Sequence, residues 1–188
     1  RKVHATPIPR IGGIAITIAI LIPISILLSI TSATIGLILG LLCIFILGVL
    51  DDAVSVNYRY KFLIQILAIG IVLLMGYVDI SQSYYYQASI VYILPLLMIY
   101  LFFILGVTNA INLADGLDGL AGGATLLSFS MIGLLAFESD NSEVLIIVLT
   151  ILGSVFGFLR YNSHPAKIFM GDTGSLMLGF LLGILSIL

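Results

Sequence analysis

The chain of 188 residues has no tryptophan, one cysteine and only 9% charged residues. Each scarcity excludes something. An ordinary soluble domain draws about a quarter of its residues from Asp, Glu, Lys and Arg, so this chain cannot clothe a water-facing surface. The single cysteine, Cys43, lies within an apolar run; it allows no internal disulfide, reads as a packing residue and leaves the redox compartment undetermined. The opening "RKVHATPIPRIGG" has neither an initiator methionine nor the layout of a cleavable signal peptide. The last apolar run is still open at Leu188, so the chain reads as a piece of a longer protein. Internal repeats, low-complexity tracts and a soluble domain are absent from the pattern.

What is present is apolar sequence: 61% hydrophobic residues and a mean hydropathy of +1.29. Runs long enough to cross ~30 Å of hydrocarbon as helices fall at 14–30, 34–50, 62–78, 89–107, 117–137 and 144–159, and another opens near Gly174. The alternating polar-in pattern of a membrane barrel does not occur. The expectation is all-α: a polytopic transmembrane helix bundle of about seven spans forming one domain over residues 1–188.

Six crossings alternate the connections between two sides and sort the charges. Arg1, Lys2 and Arg10 precede the first span, Arg59 and Lys61 fall in the second connection, and Arg160 and Lys167 in the sixth, so all seven basic residues share one side. The other side carries Asp79, Glu138, Asp140 and Glu143, and Tyr84, Tyr85 and Tyr86 as an aromatic interface anchor. The positive-inside rule makes the basic side cytoplasmic. Asp51, Asp52, Asp115, Asp118 and Asp172 lie on that same side with His4 and His164. Acids contribute little to orientation, so these need another explanation, and carboxylates from separate helix ends can converge on a cation.

In "GVLDDAVSVNYRYKFLIQ", Asp51 and Asp52 end one span and Lys61 opens the next. Neighbours on a helix diverge by about 100°, so the two carboxylates should serve different roles. Acids at a helix C-terminus oppose its dipole, which calls for a bound cation or an ammonium partner. Lys61 alone also reads as a span-end lysine reaching for headgroups. In "NAINLADGLDGL", Asn109, Asn112, Asp115 and Asp118 recur every third residue. A regular helix would fan them over half its circumference, each step turning about 300°. Gly116 and Gly119 instead predict that one helix ends near Asp115 and another begins close to Asp118, at or near its N-cap; broken helices at a membrane are tolerated where they line a site. In "RYNSHPAKIFMGDTGSLMLGF", Asp172 precedes the last span as a candidate N-cap, and His164 and Lys167 are placed to meet an anionic ligand. The glycine pairs Gly36/Gly40, Gly119/Gly123, Gly153/Gly157 and Gly179/Gly183 have the four-residue spacing that lets helices approach closely.

Taken with "RKVHATPIPRIGG", these stretches resemble the polyprenyl-phosphate N-acetylhexosamine-1-phosphate transferases, in order and along the whole chain. The resemblance implies transfer of a sugar 1-phosphate from a UDP-sugar to undecaprenyl phosphate, release of UMP, and a need for Mg²⁺, or Mn²⁺ in its place. It implies Asn112 and Asp172 as metal ligands, Asp51 and Asp52 as the paired aspartates near the lipid phosphate, and Lys61 at the phosphates. Asn109, Asp115 and Asp118 would belong to the nucleotide-sugar site, with His164 and Lys167 beside it. A bacterial plasma membrane, a cytoplasmic-face site, a cell-envelope glycan as product and no nucleic-acid partner follow by the same resemblance, with homodimerisation left open. "PIPRIGG" leans toward the N-acetylglucosamine-1-phosphate group over the muramoyl-pentapeptide group. The family's first helix, and its later helices with a His-rich loop, have no counterpart here. Among rivals, an ion-coupled transporter would favour acids at the bilayer midplane, and "DGLDGLAGG" lacks the Ala-Arg of a CDP-alcohol phosphotransferase.

Overall fold

Short polar side chains start three of the helices. Thr31 accepts a hydrogen bond from the Thr34 N–H at 3.1 Å, Asn57 from the Arg59 N–H at 3.0 Å and Asn141 from the Val144 N–H at 3.2 Å. These side chains satisfy amides that a helix's first turn leaves without partners. In the computed structural model, which describes residues 8–78 and 90–188 with the side chains of 90–92 left aside, seven helices follow one another. They are α1 (Gly12–Leu27), α2 (Ser32–Val54), α3 (Tyr58–Leu74), α4 (Ile90–Ala114), α5 (Leu120–Glu138), α6 (Ser142–Asn162) and α7 (Gly171–Leu185). No strand occurs among the described residues. Arg1, Lys2, His4, Asp79 and the three tyrosines at 84–86 lie outside them.

The helices outrun the apolar runs at the charged end. α2 continues through Asp51 and Asp52 and stops only at Ser55, which is left-handed at φ 54° and returns its N–H to the Asp51 carbonyl at 2.9 Å. α3 begins early enough to put Lys61 in its first turn, and α4 carries Asn109 and Asn112 as far as Ala114. Hydropathy marks where side chains turn polar, whereas the backbone ladder persists wherever those polar side chains find partners.

The bundle is centred on α7. This helix packs against α1, α2, α4 and α5, and all of its residues except Asp172 and Leu182 are buried, as expected of a helix apolar all round. Close contact is made by missing side chains. A Cβ on Gly13 would lie 2.2 Å from the Gly174 nitrogen, and one on Gly48 would lie 2.4 Å from the Thr173 Cα. Gly179 and Gly183 meet the backbone of α4 at Thr108 and Ile104, and Gly36 and Gly40 admit Met75 and Val72 beside α2. The other two pairs depart from the packing expectation. Gly153, Gly157 and Gly123 face open space, and Gly119 is a turn residue at φ 73°. The spacing alone does not say whether a neighbour lies on that face.

α2, α4, α5 and α6 are long and apolar enough to cross a membrane, and α1 and α7 are shorter apolar helices. Exposed side chains such as Ile18, Leu39, Leu67, Phe102, Leu127 and Phe156 cover the bundle's outside, an arrangement suited to acyl chains rather than water. The protein is a multi-pass helical membrane protein. Cys43 is partly buried against the core.

Gly48→Ala forces a Cβ into the α7 backbone and is expected to cost roughly 1–3 kcal/mol. Gly153→Ala enters open space and should leave stability unchanged or slightly raised. Thermal unfolding in detergent should separate the two; equal melting temperatures would contradict the α2–α7 contact.

Candidate active site

The polar groups gather at one end of the bundle, where α2 ends, α3 begins, α4 ends and α7 begins. Asp51 and Asp52 diverge there. Asp51, whose side chain is nearly buried, pairs with the Lys61 ammonium at 2.5 Å and accepts the Val56 N–H at 2.8 Å. Lys61 is thus the ammonium partner that an acid at a helix C-terminus calls for. Asp52 turns to α7 and accepts the Asp172 N–H at 2.9 Å, the Thr173 N–H at 2.9 Å and the Thr173 hydroxyl at 2.6 Å. A carboxylate from another helix therefore caps α7, at the end where its dipole favours negative charge.

This displaces Asp172 from the expected N-cap position. Met170 is the N-cap residue and makes no side-chain cap bond, so Asp172, in the first turn, is free to face the site. Its Oδ1 receives Lys61 Nζ at 3.1 Å and Asn112 Nδ2 at 2.5 Å. Asn112 also donates to the Ser175 hydroxyl at 2.8 Å, and its Oδ1 lies 3.4 Å from Lys61 Nζ. One ammonium thus sits among oxygens from α2, α4 and α7.

Beside this cluster opens a cleft of about 350 Å³ lined by Arg10, Asn112, Asp115, Gly116, Phe169, Gly171 and Asp172. Asp115 stands in the α4–α5 connection, outside the helices. Burial, reinforced by Asp172 and Asp52 and partly offset by the Gly171 N–H and Arg10, pushes its carboxyl up to about 7.

Four expected positions resolve differently. Asn109 does not join the cleft lining: its Nδ2 donates to Gln65 Oε1 and to the Leu105 carbonyl, each at 2.8 Å, because a step of three residues along a regular helix turns it away from Asn112. Asp118 is near the start of α5, but the N-cap is Gly119 in a left-handed turn with no side-chain cap bond. The Asp118 side chain reaches across to His164 Nδ1 at 2.9 Å and the Ala166 N–H at 3.1 Å, so it holds the α6–α7 connection. His164 is accordingly engaged from the rim, mostly exposed. Lys167 is exposed and absent from the cleft lining; its backbone N–H bonds the Tyr161 carbonyl at 2.8 Å.

Sequence reasoning missed four contributors. Buried Asn162 accepts the Gly119 N–H and donates to the Ile168 carbonyl, both at 2.9 Å, tying the two connections together. Gln65 supports Asn109, Ser175 supports Asn112, and Arg10 fronts the cleft. Gln65 alone had a signal, as an amide deep in an apolar run, one helical turn beyond Lys61. In the sequence Arg10 reads only as a topological charge.

Fold and site define a membrane-embedded helical protein with a carboxylate, amide and ammonium cluster opening at one end of the bundle. Comparison places it: the chain belongs to glycosyl transferase family 4, whose model matches residues 34–188, as the motifs imply. The chain is 39% identical over 200 residues to a Bacillus subtilis protein named probable undecaprenyl-phosphate N-acetylglucosaminyl 1-phosphate transferase, a match that takes in 100% of this chain and 53% of that one. It is 37% identical over 174 residues to the phospho-N-acetylmuramoyl-pentapeptide-transferase of Enterococcus hirae, covering 84% of this chain and 53% of that protein. The enzyme of the same name from Prochlorococcus marinus is 37% identical over 202 residues, covering 96% and 55%. The chain thus spans about half the length of the curated relatives it matches.

Whether the cluster suits Mg²⁺ can be judged from its donors. Asn112 Oδ1 and the Asp172 carboxylate are hard oxygens that already flank a cation, the Lys61 ammonium, and both residues open to the cleft. Mg²⁺ usually takes one or two protein groups and fills its shell with phosphate oxygens and water, so the donor set fits. No group of three or more His, Cys, Asp or Glu with metal-holding geometry occurs among the described residues.

Because the Asp115 carboxyl is raised when folded, the folded chain holds that proton more tightly than the unfolded one. Its contribution should fall as pH rises from about 4 to about 7 and then level off. With chelator present, the melting temperature of Asp115→Asn should therefore gain on wild type across that window and stay parallel above it. A difference independent of pH would show that the carboxyl is not raised.

Proposed function

We propose that the protein transfers a sugar 1-phosphate from a UDP-sugar to a polyprenyl phosphate, releasing UMP, and that this chain is its transmembrane catalytic domain. The observation that carries the reading is the Lys61–Asp172–Asn112 cluster fronting a cleft at one end of a lipid-facing bundle. Family membership narrows the chemistry to this class. Arg10, Arg59, Lys61, Arg160 and Lys167 support a cytoplasmic site in a bacterial plasma membrane.

An oxygen of the acceptor phosphate attacks the β-phosphorus of the donor, a P–O bond forms to the acceptor, and the bond to the bridging oxygen breaks as UMP leaves. Positioning and electrostatics dominate such transfers. Lys61 supplies positive charge beside the diphosphate, and Asp51 holds its ammonium next to Asp172 and Asn112. Asp52 acts through α7, holding the turn that aims Asp172. Since both paired aspartates are engaged in this way, they serve the lipid-phosphate side of the site as positioning residues. Asp115 is the cleft carboxylate whose raised proton affinity suits transient proton exchange with an acceptor phosphate. When bound, Mg²⁺, or Mn²⁺ in its place, would be held by Asn112 and Asp172 and would neutralise diphosphate charge. Asp118, with His164, shapes the rim of the nucleotide-sugar site. N-acetylglucosamine 1-phosphate is the favoured cargo, since the B. subtilis relative, matched along the whole of this chain, carries that sugar in its name.

The test is UMP release by the full-length parent protein with undecaprenyl phosphate, comparing UDP-GlcNAc with UDP-MurNAc-pentapeptide, with and without Mg²⁺. Turnover should require lipid and metal and favour UDP-GlcNAc. Asp172→Asn and Lys61→Met should each lower kcat by roughly 100-fold or more, and Asp172→Asn should raise the Mg²⁺ concentration needed. Unchanged Mg²⁺ dependence in Asp172→Asn would remove it from the metal site. Phosphoenzyme trapped without acceptor would replace direct attack with an aspartyl intermediate.

A further inference from the structure

The segment before α1 is strapped to the segment before α7. The Phe169 N–H donates to the Pro9 carbonyl at 2.9 Å, the Gly12 N–H to the Phe169 carbonyl at 3.0 Å, and the Gly13 N–H to the Met170 carbonyl at 2.8 Å. Gly13 has no room for a side chain against Gly174, so the strap lies flat on the first turn of α7. Between those bonds stands Arg10, which the strap delivers to the wall of the cleft shared with Asp172 and Asp115.

The two cations of the site differ in what they already hold. Lys61 is engaged with Asp51, Asp172 and Asn112. Arg10 is exposed, and its side chain makes no hydrogen bond or ion pair among the described residues, although carboxylates line the same cleft. An interfacial arginine serving topology alone needs no fixed backbone and no cleft. A guanidinium has five donors in a planar fork matched to phosphate oxygens, and a cleft of this size lies at the small end of ligand sites, suited to a phosphate moiety rather than a whole nucleotide sugar.

We infer that Arg10 is a phosphate-binding residue of the cleft, gripping a substrate oxyanion from the wall it shares with Asp172 and Asp115. The inference rests on the transferase reading for its substrates. The phosphate is either the donor's diphosphate or the acceptor's monophosphate, which share this chemistry.

Arg10→Gln and Arg10→Lys of the full-length parent protein, checked for unchanged melting temperature, should be compared with wild type for both KM values and kcat. Arg10→Gln should raise one KM by about 10-fold, equivalent to about 1.4 kcal/mol, while Arg10→Lys recovers part of the loss because it keeps charge without the fork. A rise in the UDP-sugar KM assigns the donor, and a rise in the polyprenyl phosphate KM assigns the acceptor. Both KM values within twofold of wild type, or a loss confined to kcat, would overturn the inference. If wild type releases no UMP from any donor, the transferase reading fails by itself. Calorimetric binding of inorganic pyrophosphate and phosphate to wild type and Arg10→Gln then decides Arg10 separately: weaker binding by the variant upholds it, and equal affinity overturns it.

Discussion

Asp52 on the N-terminus of α7 is the contact on which the site depends. α7 starts inside the bundle, and buried backbone N–H groups without partners are costly. Asp172 cannot both cap its own helix and face a substrate. By accepting the Asp172 and Thr173 amides, the carboxylate of Asp52 relieves that conflict. The price is a charge taken from water, and it is offset by two amides, a hydroxyl and the positive end of a helix dipole.

Tight backbone contact makes this geometry reachable. Gly48 lets α2 lie against Thr173, which brings Asp52 within hydrogen-bonding distance of α7, and Gly13 against Gly174 brings the strap and Arg10 over the same turn. The glycines that shape the site are therefore not all members of four-residue pairs. Gly153 and Gly157 show the converse, a close-packing spacing on a face with nothing beside it. A second set of bonds, from Asp118 to Ala166 and from Asn162 to Gly119 and Ile168, ties the α4–α5 and α6–α7 connections into one rim. Substrate-facing groups are few, and most of the polar inventory keeps those few in place.

Much of the fold was legible because membrane helices announce themselves by length and apolarity. Seven apolar runs became seven helices, and their alternation collected the charged ends on one side. Boundaries were less legible. Asp51 and Asp52 interrupt hydropathy but not hydrogen bonding, since partners from α3 and α7 let α2 continue. The break between α4 and α5 was readable from Gly116 and Gly119, whereas the diversion of Asp118 to the neighbouring connection was not, because its partners lie more than forty residues away. Asn109 misled for a similar reason: its spacing matched that of Asn112, yet its partner Gln65 lies on another helix.

By itself the sequence determined the membrane-spanning helical class, the side on which the polar groups assemble, and the residue types available for cation and phosphate chemistry. Those properties follow from composition and order along the chain, and hydrocarbon leaves a backbone few alternatives to a helix. Only the tertiary structure decided how the carboxylates divide their work: Asp51 for Lys61, Asp52 for α7, Asp118 for the rim, and Asp115 and Asp172 for the cleft. That division depends on which helices approach closely enough to exchange hydrogen bonds. Adjacent residues of identical chemistry can differ in role only when different neighbours stand beside them.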